Sequence, residues 1–534
     1  MKKLFTIASL LLMLNANAQT FEKLNSSSYL VVGRNIIYDN KLYFDAAATP
    51  SNEELWVTDG TPAGTQILKD INPGGSADLF NFIVFNNNFY FLANDGTHGK
   101  ELWITDGTSD GTQLFKDINP GVGDGIPNYL TVNGNRLFFA ANNGINGNEL
   151  WISDGTSAGT QLLKDIDPNG SGNPSYLNNY NDKLCFDAFT GTLGGELWIT
   201  DGTSIGTQLV KDINPGSASS TSANRQTYLY NGKLYFSADN GAHGQEIWVT
   251  DGTGTGTLLL KDINPGAAGS DPDLFTVYNN KLYFRANDGT HGSELWVTDG
   301  TTNGTQLFKD INPNPNLSGN PYEFIVVDDR MFFGADDGTH GYELWVTDGT
   351  ADGTQLFKDI NSGGDANPGH FTIYNNKLYI RAIGGSNGYE LWESDGTAEG
   401  TTVIAPSVAP GTNPLHFTWA FAVYNGSLYF AANYNLTGED LWKYTTSGSG
   451  VAQSVYQPRI SVYPNPGSGR FHVKSEENNM LSLSVLNLSG QTVLAENTVG
   501  DQDAIDISSY PTGVYMLKVF TDKGVYLTKI ILEK

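Results

Sequence analysis

The residues best suited to chemistry recur in short polar turns where aspartate and histidine stand close together. One such turn reads Asn94-Asp95-Gly96-Thr97-His98-Gly99, and similar turns follow along the chain. Calcium takes several oxygen ligands at about 2.3 to 2.6 Å, and a row of such turns could supply them. The calcium candidates are Asp95, Asp239, Asp288, Asp336 and Asp337, with His98, His243, His291 and His340 nearby.

These aspartates also have a structural explanation, which we favour. Aspartate and asparagine in tight turns accept hydrogen bonds from their own backbone and tolerate left-handed conformations. The same explanation applies to a second repeated turn, which contains Asp-Gly-Thr. Its aspartates are Asp59, Asp106, Asp154, Asp201, Asp251, Asp299, Asp348 and Asp395.

A tryptophan recurs in every repeat, in a motif that reads Glu-Leu-Trp or nearly so. The nine tryptophans are Trp56, Trp103, Trp151, Trp198, Trp248, Trp296, Trp345, Trp392 and Trp442. An indole ring can stack on a sugar, but its large apolar surface also suits the space between two packed sheets. We favour the second interpretation and expect these residues in the core.

Known catalytic motifs are missing from the sequence, which has no nucleophile elbow, phosphate-binding glycine loop, metalloprotease helix or cysteine cluster. We therefore assign no catalytic and no cofactor-binding residue, and calcium is the one cofactor considered. Arg285, Arg381 and Trp419 depart from the repeat without forming a recognisable site. Cys185 is the single cysteine, so no internal disulfide can form, and it replaces a tyrosine of the sister repeats in the expected core.

The chain is strongly acidic, with 30 basic and 57 acidic residues and a net charge of −27. Nucleic acids and anionic membranes bind through cationic side chains, so this balance argues against both as partners. Cations and neutral glycans stay compatible with it.

The tryptophans are 47 to 50 residues apart, so nine similar units follow one another. The second unit reads as four short strands, Phe82–Phe85, Phe89–Leu92, Glu101–Thr105 and Gln113–Ile118, separated by turns rich in Asn, Asp and Gly. Such turns need positive φ, which Gly and Asn tolerate, and they are typical of hairpins. Each unit is therefore predicted to be a four-stranded antiparallel meander.

A repeat of about 40 to 50 residues with four strands is typical of a β-propeller. Thr20–Asn25 resembles the fourth strand of a unit and could complete the last sheet, whose own fourth strand is degenerate after Trp442. This all-β arrangement gives nine blades. Eight blades is the alternative, because the ninth unit lacks the Asp-Gly-Thr turn, and an open β-solenoid is a third.

The N-terminus reads as a secretory signal peptide. Lys2 and Lys3 precede an apolar run from Leu4 to Leu14, and Ala16-Asn17-Ala18 follows. The run is shorter than the roughly 20 residues of a membrane-spanning helix. We predict cleavage after Ala18, and no later stretch is apolar enough to span a bilayer.

The repeats resemble the ELWxxDGT repeat family of secreted bacterial proteins. Glu-Leu-Trp-x-x-Asp-Gly-Thr occurs at Glu54–Thr61, Glu101–Thr108, Glu149–Thr156, Glu196–Thr203, Glu294–Thr301, Glu343–Thr350 and Glu390–Thr397, with a near match at Glu246–Thr253. The resemblance covers roughly residues 26–445 and implies no particular activity.

The C-terminal segment is similar to the type A sorting domain of the type IX secretion system of Bacteroidetes. The residues that carry the similarity are Tyr463, Pro464, Asn465, Pro466, Gly490, Gly513, Tyr515, Lys529 and Lys534. The similarity implies an immunoglobulin-like sandwich recognised by the secretion machinery at the outer membrane. It further implies removal of the domain, with the protein released or attached to surface lipopolysaccharide.

These observations predict a signal peptide at 1–18, a propeller at 19–444, a linker at 445–458 and a sorting domain at 459–534. The preferred function is a secreted or cell-surface binding protein without catalytic activity, such as an adhesin or a glycan- or protein-binding propeller. The alternative is a secreted polysaccharide-active hydrolase or lyase on the same scaffold.

Overall fold

The computed structural model describes most of the chain after the predicted signal peptide, which lies outside the described residues. The described residues are 19–25, 31–47, 49, 52–221, 227–404, 413–415, 421–434, 439–446, 460–465, 467–475, 480–486, 492–500, 502–508, 510–521 and 524–533. The chain divides into two compact units, residues 1–447 and residues 448–534. Each unit is described by itself below.

The described part of the first unit contains β-strands and no helix. Its first strands are β1 (Gln19–Lys23), β2 (Val31–Tyr38), β3 (Lys41–Ala47), β4 (Glu53–Thr58), β5 (Gln66–Lys69), β6 (Phe80–Phe85), β7 (Asn88–Asn94), β8 (Lys100–Thr105), β9 (Gln113–Lys116), β10 (Asn128–Asn133), β11 (Arg136–Asn142), β12 (Asn148–Ser153), β13 (Gln161–Lys164), β14 (Ser175–Tyr180), β15 (Lys183–Thr190), β16 (Gly194–Thr200) and β17 (Gln208–Lys211). The next are β18 (Tyr228–Tyr230), β19 (Lys233–Asp239), β20 (Gln245–Thr250), β21 (Leu258–Lys261), β22 (Asp273–Tyr278), β23 (Lys281–Asn287), β24 (Ser293–Thr298), β25 (Gln306–Lys309), β26 (Tyr322–Val327), β27 (Arg330–Asp336), β28 (Tyr342–Thr347), β29 (Gln355–Lys358), β30 (Gly369–Tyr374), β31 (Lys377–Ile383), β32 (Tyr389–Ser394), β33 (Thr402–Val403), β34 (Ala422–Tyr424), β35 (Ser427–Ala432) and β36 (Asp440–Thr446).

These strands form nine antiparallel sheets of four strands among the described residues. In the first eight sheets, from β2–β5 to β30–β33, four consecutive strands pair in chain order. The second strand is buried on both faces, and Phe89, Tyr90 and Phe91 are each 0% exposed. A strand that is apolar on both faces is expected where sheets pack between neighbouring sheets. We call these sheets blades 1 to 9.

The blades form a closed ring. β2 lies beside β6 and β6 beside β10, so the first strands of successive blades are neighbours. Each blade shares a buried apolar cluster with the next one. Blade 9 shares such a cluster with blade 1, which contains Phe44 of blade 1 and Tyr429 of blade 9. The predicted β-propeller is therefore confirmed, and the open β-solenoid is wrong.

The N-terminal strand completes blade 9. β1 pairs with β36 in the order β1-β36-β35-β34, with Phe21 opposite Tyr444. Leu24 is 0% exposed in the cluster between blades 9 and 1. The carboxamide of Asn25 donates to Asp440 at 2.7 Å and accepts from the backbone N–H of Leu441 at 2.9 Å. The ring thus has nine blades rather than eight.

The interface that closes the ring uses a contact found at other interfaces. The Tyr38 hydroxyl, at the end of the first strand of blade 1, donates to the carbonyl of Asn87 in blade 2 at 2.8 Å. The Tyr424 hydroxyl makes the same contact from blade 9 to Asn40 in blade 1 at 2.6 Å. Closure therefore leaves the last blade packed like the others.

A β-bulge interrupts the first strand in several blades. In blade 3 the pairing of β10 with β11 shifts between Asn128 and Thr131, and the same shift occurs at equivalent positions. The residue just after the pair that precedes the shift, such as Tyr129 after Asn128, has a left-handed backbone conformation. These residues have φ between 52° and 56° and are Asn81, Tyr129, Tyr176, Leu274, Glu323 and His370. A bulge re-aims a side chain, and these positions carry a different type of residue in most blades.

The second unit is a small β-sandwich. Its strands are β37 (Ile460–Tyr463), β38 (Arg470–Ser475), β39 (Met480–Leu486), β40 (Thr492–Gly500), β41 (Gln502–Asp506), β42 (Gly513–Thr521) and β43 (Gly524–Leu532). They form the sheets β37-β38-β41 and β40-β39-β42-β43. Side chains of both sheets, such as Phe471 and Leu517, share one buried core, which agrees with the expected class of domain.

The N-terminal strand provides a test of ring closure. We expect Leu24→Ala to destabilise the propeller by about 2 to 5 kcal/mol, because it removes a fully buried side chain between blades 9 and 1. Thr20→Ala, at an exposed position of the same strand, should change stability by less than about 0.5 kcal/mol. Urea unfolding followed by tryptophan fluorescence measures both. Equal stabilities of the two variants would contradict closure by this strand.

Candidate functional site

The turns of each blade lie on two faces of the ring. The hairpin between the second and third strands meets the connectors between blades, as where Asn146 donates to Asp165 at 2.7 Å and Lys100 pairs with Asp78 at 3.2 Å. We call this side the connector face. The Asp-Gly-Thr turns lie at the other ends of the strands, on what we call the turn face.

The calcium candidates lie in hairpins of the connector face and bond to their own turns. Asp95 Oδ1 accepts from the backbone N–H groups of Thr97 and His98, both at 2.8 Å. Its Oδ2 lies 2.7 Å from His98 Nδ1. Asp288 and Asp337 make the same contacts with His291 and His340, whereas Asp239 and Asp336 each accept one backbone N–H.

Each aspartate–histidine pair shifts the pKa of both partners. The hydrogen bond that the His98 ring donates to Asp95 raises the pKa of His98 above its usual value. Partial burial opposes ionisation of Asp95, but the hydrogen bonds from His98 and Thr97 outweigh it and lower the pKa of that carboxyl. Across the described residues, no three His, Cys, Asp or Glu side chains converge as ligands for one metal ion. Calcium binding stays a prediction.

The aspartates of the turn face stabilise their turns. Asp59 Oδ1 accepts the backbone N–H and the hydroxyl of Thr61 at 2.9 and 2.7 Å. The hydrogen bond from the threonine hydroxyl lowers the pKa of Asp59. The same contacts occur at Asp106, Asp154, Asp201, Asp251, Asp299, Asp348 and Asp395.

The repeated tryptophans lie inside the ring wall. Eight of them are only 5 to 9% exposed, and Trp442 is half-buried. The indole N–H of Trp56 donates to the carbonyl of Ala46 in its own blade at 3.1 Å. A ring so deeply buried offers no face to a sugar.

The glutamate of the repeat has a role that the sequence analysis did not predict. Glu101 is 0% exposed and accepts the backbone N–H groups of Ile118 and Asn119, at 2.7 and 3.2 Å, in the connector to the next blade. Equivalent glutamates in blades 1 and 3 to 7 bind their connectors in the same way. Burial raises the pKa of Glu101 to about 7, although its backbone hydrogen bonds act in the opposite direction.

The bulges place a variable set of side chains at the centre of the ring. Asn81, Tyr129 and Tyr176 line a cavity of about 500 Å³ that is bounded by residues of five successive blades, 2 to 6. Because the first strands of successive blades are neighbours and these residues lie on or beside those strands, the cavity lies in the central channel. Because each bulge follows directly on a connector, this mouth of the channel opens on the connector face.

The residues of the second strand that lie opposite the bulged segment differ between blades, and their contacts differ accordingly. In blade 6, Arg285 forms two hydrogen bonds with Asp273, at 2.9 and 2.6 Å. In blade 7, Gly334 leaves room for Tyr322, since a Cβ atom at position 334 would lie 2.5 Å from that ring. In blade 8, the guanidinium of Arg381 lies 3.3 Å from the centre of the Tyr389 ring. The departures Arg285 and Arg381 therefore lie opposite the bulged segments of blades 6 and 8, whereas Trp419 lies outside the described residues.

A second cavity opens beside the channel and is lined by blades 3 and 4 and by the connector that leads to blade 5. Its volume is about 470 Å³, and we call it the blade 3–5 cleft. Tyr129 and Tyr176 line both cavities, with ring centres 5.5 Å apart. Phe189 lines the cleft on the far side and is 39% exposed.

The polar residues of the cleft carry amides, hydroxyls and one carboxylate. Asn148 donates to Asn173 at 3.3 Å, and Ser219 accepts the backbone N–H of Gly195 at 2.8 Å. Asp187 is 5% exposed. Burial, followed by the nearby Tyr129 and Asp187, raises the pKa of the Tyr176 hydroxyl.

The predicted sorting residues that are described lie on one region of the sandwich. Asn465 accepts the backbone N–H of Ile531 at 2.9 Å, and Tyr463 is 51% exposed and stacks on His472. Tyr515 is buried and donates to the carbonyl of Pro511 at 2.7 Å. Gly513 and Lys529 lie in β42 and β43. Pro466, Gly490 and Lys534 lie outside the described residues.

Comparison with known proteins identifies the class of the second unit. Residues 461–533 match the family described as "Secretion system C-terminal sorting domain". The chain is therefore an exported β-propeller protein. The sorting domain directs it through the type IX secretion system to the cell surface or the medium. No helix among the described residues is long and apolar enough to cross a membrane.

No curated protein sequence matches the chain. Among solved structures, it is similar to a puromycin hydrolase with 12% identity and a TM-score of 0.35, over 66% of this chain and 58% of that one. A prolyl endopeptidase is similar with 11% identity and a TM-score of 0.37, over 76% and 55%. The β-propeller domain of the trilobed protease from Pyrococcus furiosus has 10% identity and a TM-score of 0.31, over 63% and 99%. The matched region spans little more than half of the first two proteins.

The buried glutamates predict a pH dependence of stability. Burial raises the pKa of Glu101, Glu294 and Glu343 from 4.5 to about 7. A carboxyl whose pKa is higher in the folded chain than in the unfolded chain favours folding when it is protonated. Its contribution to the free energy of unfolding is therefore complete below pH 4.5 and is lost as the pH rises through about 7. We expect a higher melting temperature at pH 5 than at pH 8, and a smaller difference in the variant E101Q/E294Q/E343Q. The exposed Glu399→Gln should keep the full difference. An unchanged difference in the triple variant would contradict the raised pKa values.

The calcium candidates are tested by chelation. Because each of them already accepts hydrogen bonds from its own turn, we expect the melting temperature to be the same in excess EDTA and in millimolar calcium. A bound ion would stabilise the folded chain in proportion to the logarithm of its concentration. A melting temperature that rises with calcium concentration would therefore establish the site.

Proposed function

We propose that the mature protein is a non-catalytic binding protein of the cell surface or the medium, whose ligand binds on the connector face at the mouth of the channel. This proposal rests on the positions at which the repeated units differ from one another. Residues that build the blades, such as the buried glutamates and tryptophans, recur in nearly every unit. The bulge positions, by contrast, carry Asn, Tyr, Leu, Glu or His, and three of them, Asn81, Tyr129 and Tyr176, line the central cavity.

The chemistry of the repeated carboxylates supports binding rather than catalysis. The hairpin and turn aspartates bond to their own backbone, and the buried glutamates bond to the connectors. A catalytic carboxylate has to reach the substrate, and these groups face the interior of their own loops. Export to the cell surface or the medium places the connector face where it meets extracellular glycans and proteins.

The first experiment asks whether the protein binds or cleaves. We expect the mature chain, from Gln19, to bind on a glycan array or in a whole-cell adhesion assay, and to release no new reducing ends or unsaturated products from a polysaccharide panel. The heat-unfolded chain is the control. Cleavage of any polysaccharide would support the hydrolase or lyase alternative, and no binding in either assay would refute the proposal.

The second experiment identifies the binding face. Cys185 is buried, so a cysteine introduced at an exposed position is the one that a bulky maleimide reaches. Ser217→Cys lies in an exposed connector and Ser157→Cys in an exposed Asp-Gly-Thr turn. We expect the label at position 217 to reduce binding and the label at position 157 to have no effect. The reverse result would place the ligand on the turn face.

A further inference from the structure

We propose that the blade 3–5 cleft binds a neutral sugar unit of an extracellular glycan, with Tyr129, Tyr176 and Phe189 as the apolar platform. This inference rests on the proposed binding function and names its ligand class and its site. Three observations carry it: the departures of blade 4 from the repeat, the backbone at the two tyrosines, and the chemistry of the cleft walls.

Blade 4 departs from its sisters at the cleft. Its hairpin has the same length as that of blade 6, but Phe189 and Thr190 stand where blade 6 has Asn287 and Asp288. The exchange removes an aspartate that elsewhere caps the turn and replaces an asparagine with an aromatic ring that is 39% exposed. The ring of Phe189 thereby adds an apolar surface to the cleft that Tyr129 and Tyr176 also line.

The two tyrosines occupy backbone positions that suit them poorly. Tyr129 and Tyr176 have φ values of 56° and 52°, in the left-handed region. Bulky residues are uncommon in this region, whereas asparagine is enriched there, and Asn81 fills the same position in blade 2 with φ 56°. Strain of this kind is often retained where function requires the side chain.

The cleft walls match the chemistry of a sugar. A sugar ring has C–H groups that pack on aromatic faces, and hydroxyl groups that both donate and accept hydrogen bonds. Tyr129 is 36% exposed beside Tyr176, and Asn148, Asn173 and Ser219 supply polar groups of both kinds. The volume of about 470 Å³ lies in the usual range of ligand sites.

The charge of the site favours a neutral ligand. Asp187 is buried in the wall of the cleft, and the chain carries a net charge of −27. The net charge of the chain would therefore repel a carboxylated or sulfated glycan at long range. A neutral glycan meets no such repulsion, and the cleft offers it hydrogen-bonding groups beside the aromatic rings.

The test replaces each aromatic residue with the residue of a sister blade. The triple variant Y129N/Y176N/F189N takes asparagine from Asn81 and Asn287, so it should fold with a melting temperature close to that of the unmodified chain. The control is Ile145→Thr, an 88% exposed apolar residue of the neighbouring hairpin, which takes its residue from Thr97. The probes are laminarin, galactomannan and xylan in affinity gel electrophoresis, with polygalacturonate as the acidic probe and casein peptides as the protein probe.

We expect the unmodified chain to bind at least one neutral polysaccharide and to bind polygalacturonate and casein peptides more weakly. The triple variant should bind that polysaccharide about tenfold less tightly or worse, and Ile145→Thr should bind it normally. Undiminished binding by the folded triple variant would overturn this site and leave the proposed function standing. Preference for the acidic or peptide probe would overturn the ligand class, and no binding by the unmodified chain to these probes or to the glycan array would overturn both proposals.

Discussion

Blades 1 to 7 each depend on a carboxylate that folding removes from water and surrounds with backbone N–H groups. Burying a charge is costly unless hydrogen bonds compensate it. The connector that follows Glu101 must therefore take the one path on which Ile118 and Asn119 point their N–H groups at that carboxylate. Since the connector leads directly into the first strand of the next blade, this contact also determines where that strand begins. The position of the channel wall is thus a consequence of a buried glutamate in the preceding blade.

Closure of the ring also depends on contacts between neighbouring blades. In a repeat protein each unit packs mainly on its two neighbours, and the terminal units lack one of them. Here blade 9 packs on blade 1, and β1 supplies the outer strand that the last unit lacks. Two contacts hold the N-terminal segment in place. Leu24 is buried between the two blades, and the carboxamide of Asn25 both donates and accepts a hydrogen bond.

The sequence predicts the strands and the architecture because those depend on local patterns. Asn-Gly and Asp-Gly turns mark the hairpins, the tryptophan period gives nine units, and Thr20–Asn25 resembles a fourth strand. The role of Glu101 was missed because its partners are backbone groups 17 and 18 residues away, which no residue type reveals. The bulges were missed because Tyr129 and Tyr176 disfavour the left-handed conformation that they adopt. Comparison of hairpins between units could have found Phe189, whereas its neighbours in the cleft come from two blades and the connectors that follow them.

The arrangement of the blades also bears on the proposed ligand site. Residues of blades 2 to 6 line the central cavity, so a small ligand bound there as proposed would contact one part of the channel wall. A site on the wall is built from two or three adjacent blades, and only those blades have to depart from the repeat. The other blades can keep the residues that stabilise the ring. In the proposed site, Tyr129, Tyr176 and Phe189 depart from the repeat in the adjacent blades 3 and 4, while the buried glutamates and tryptophans recur almost unchanged in the other blades.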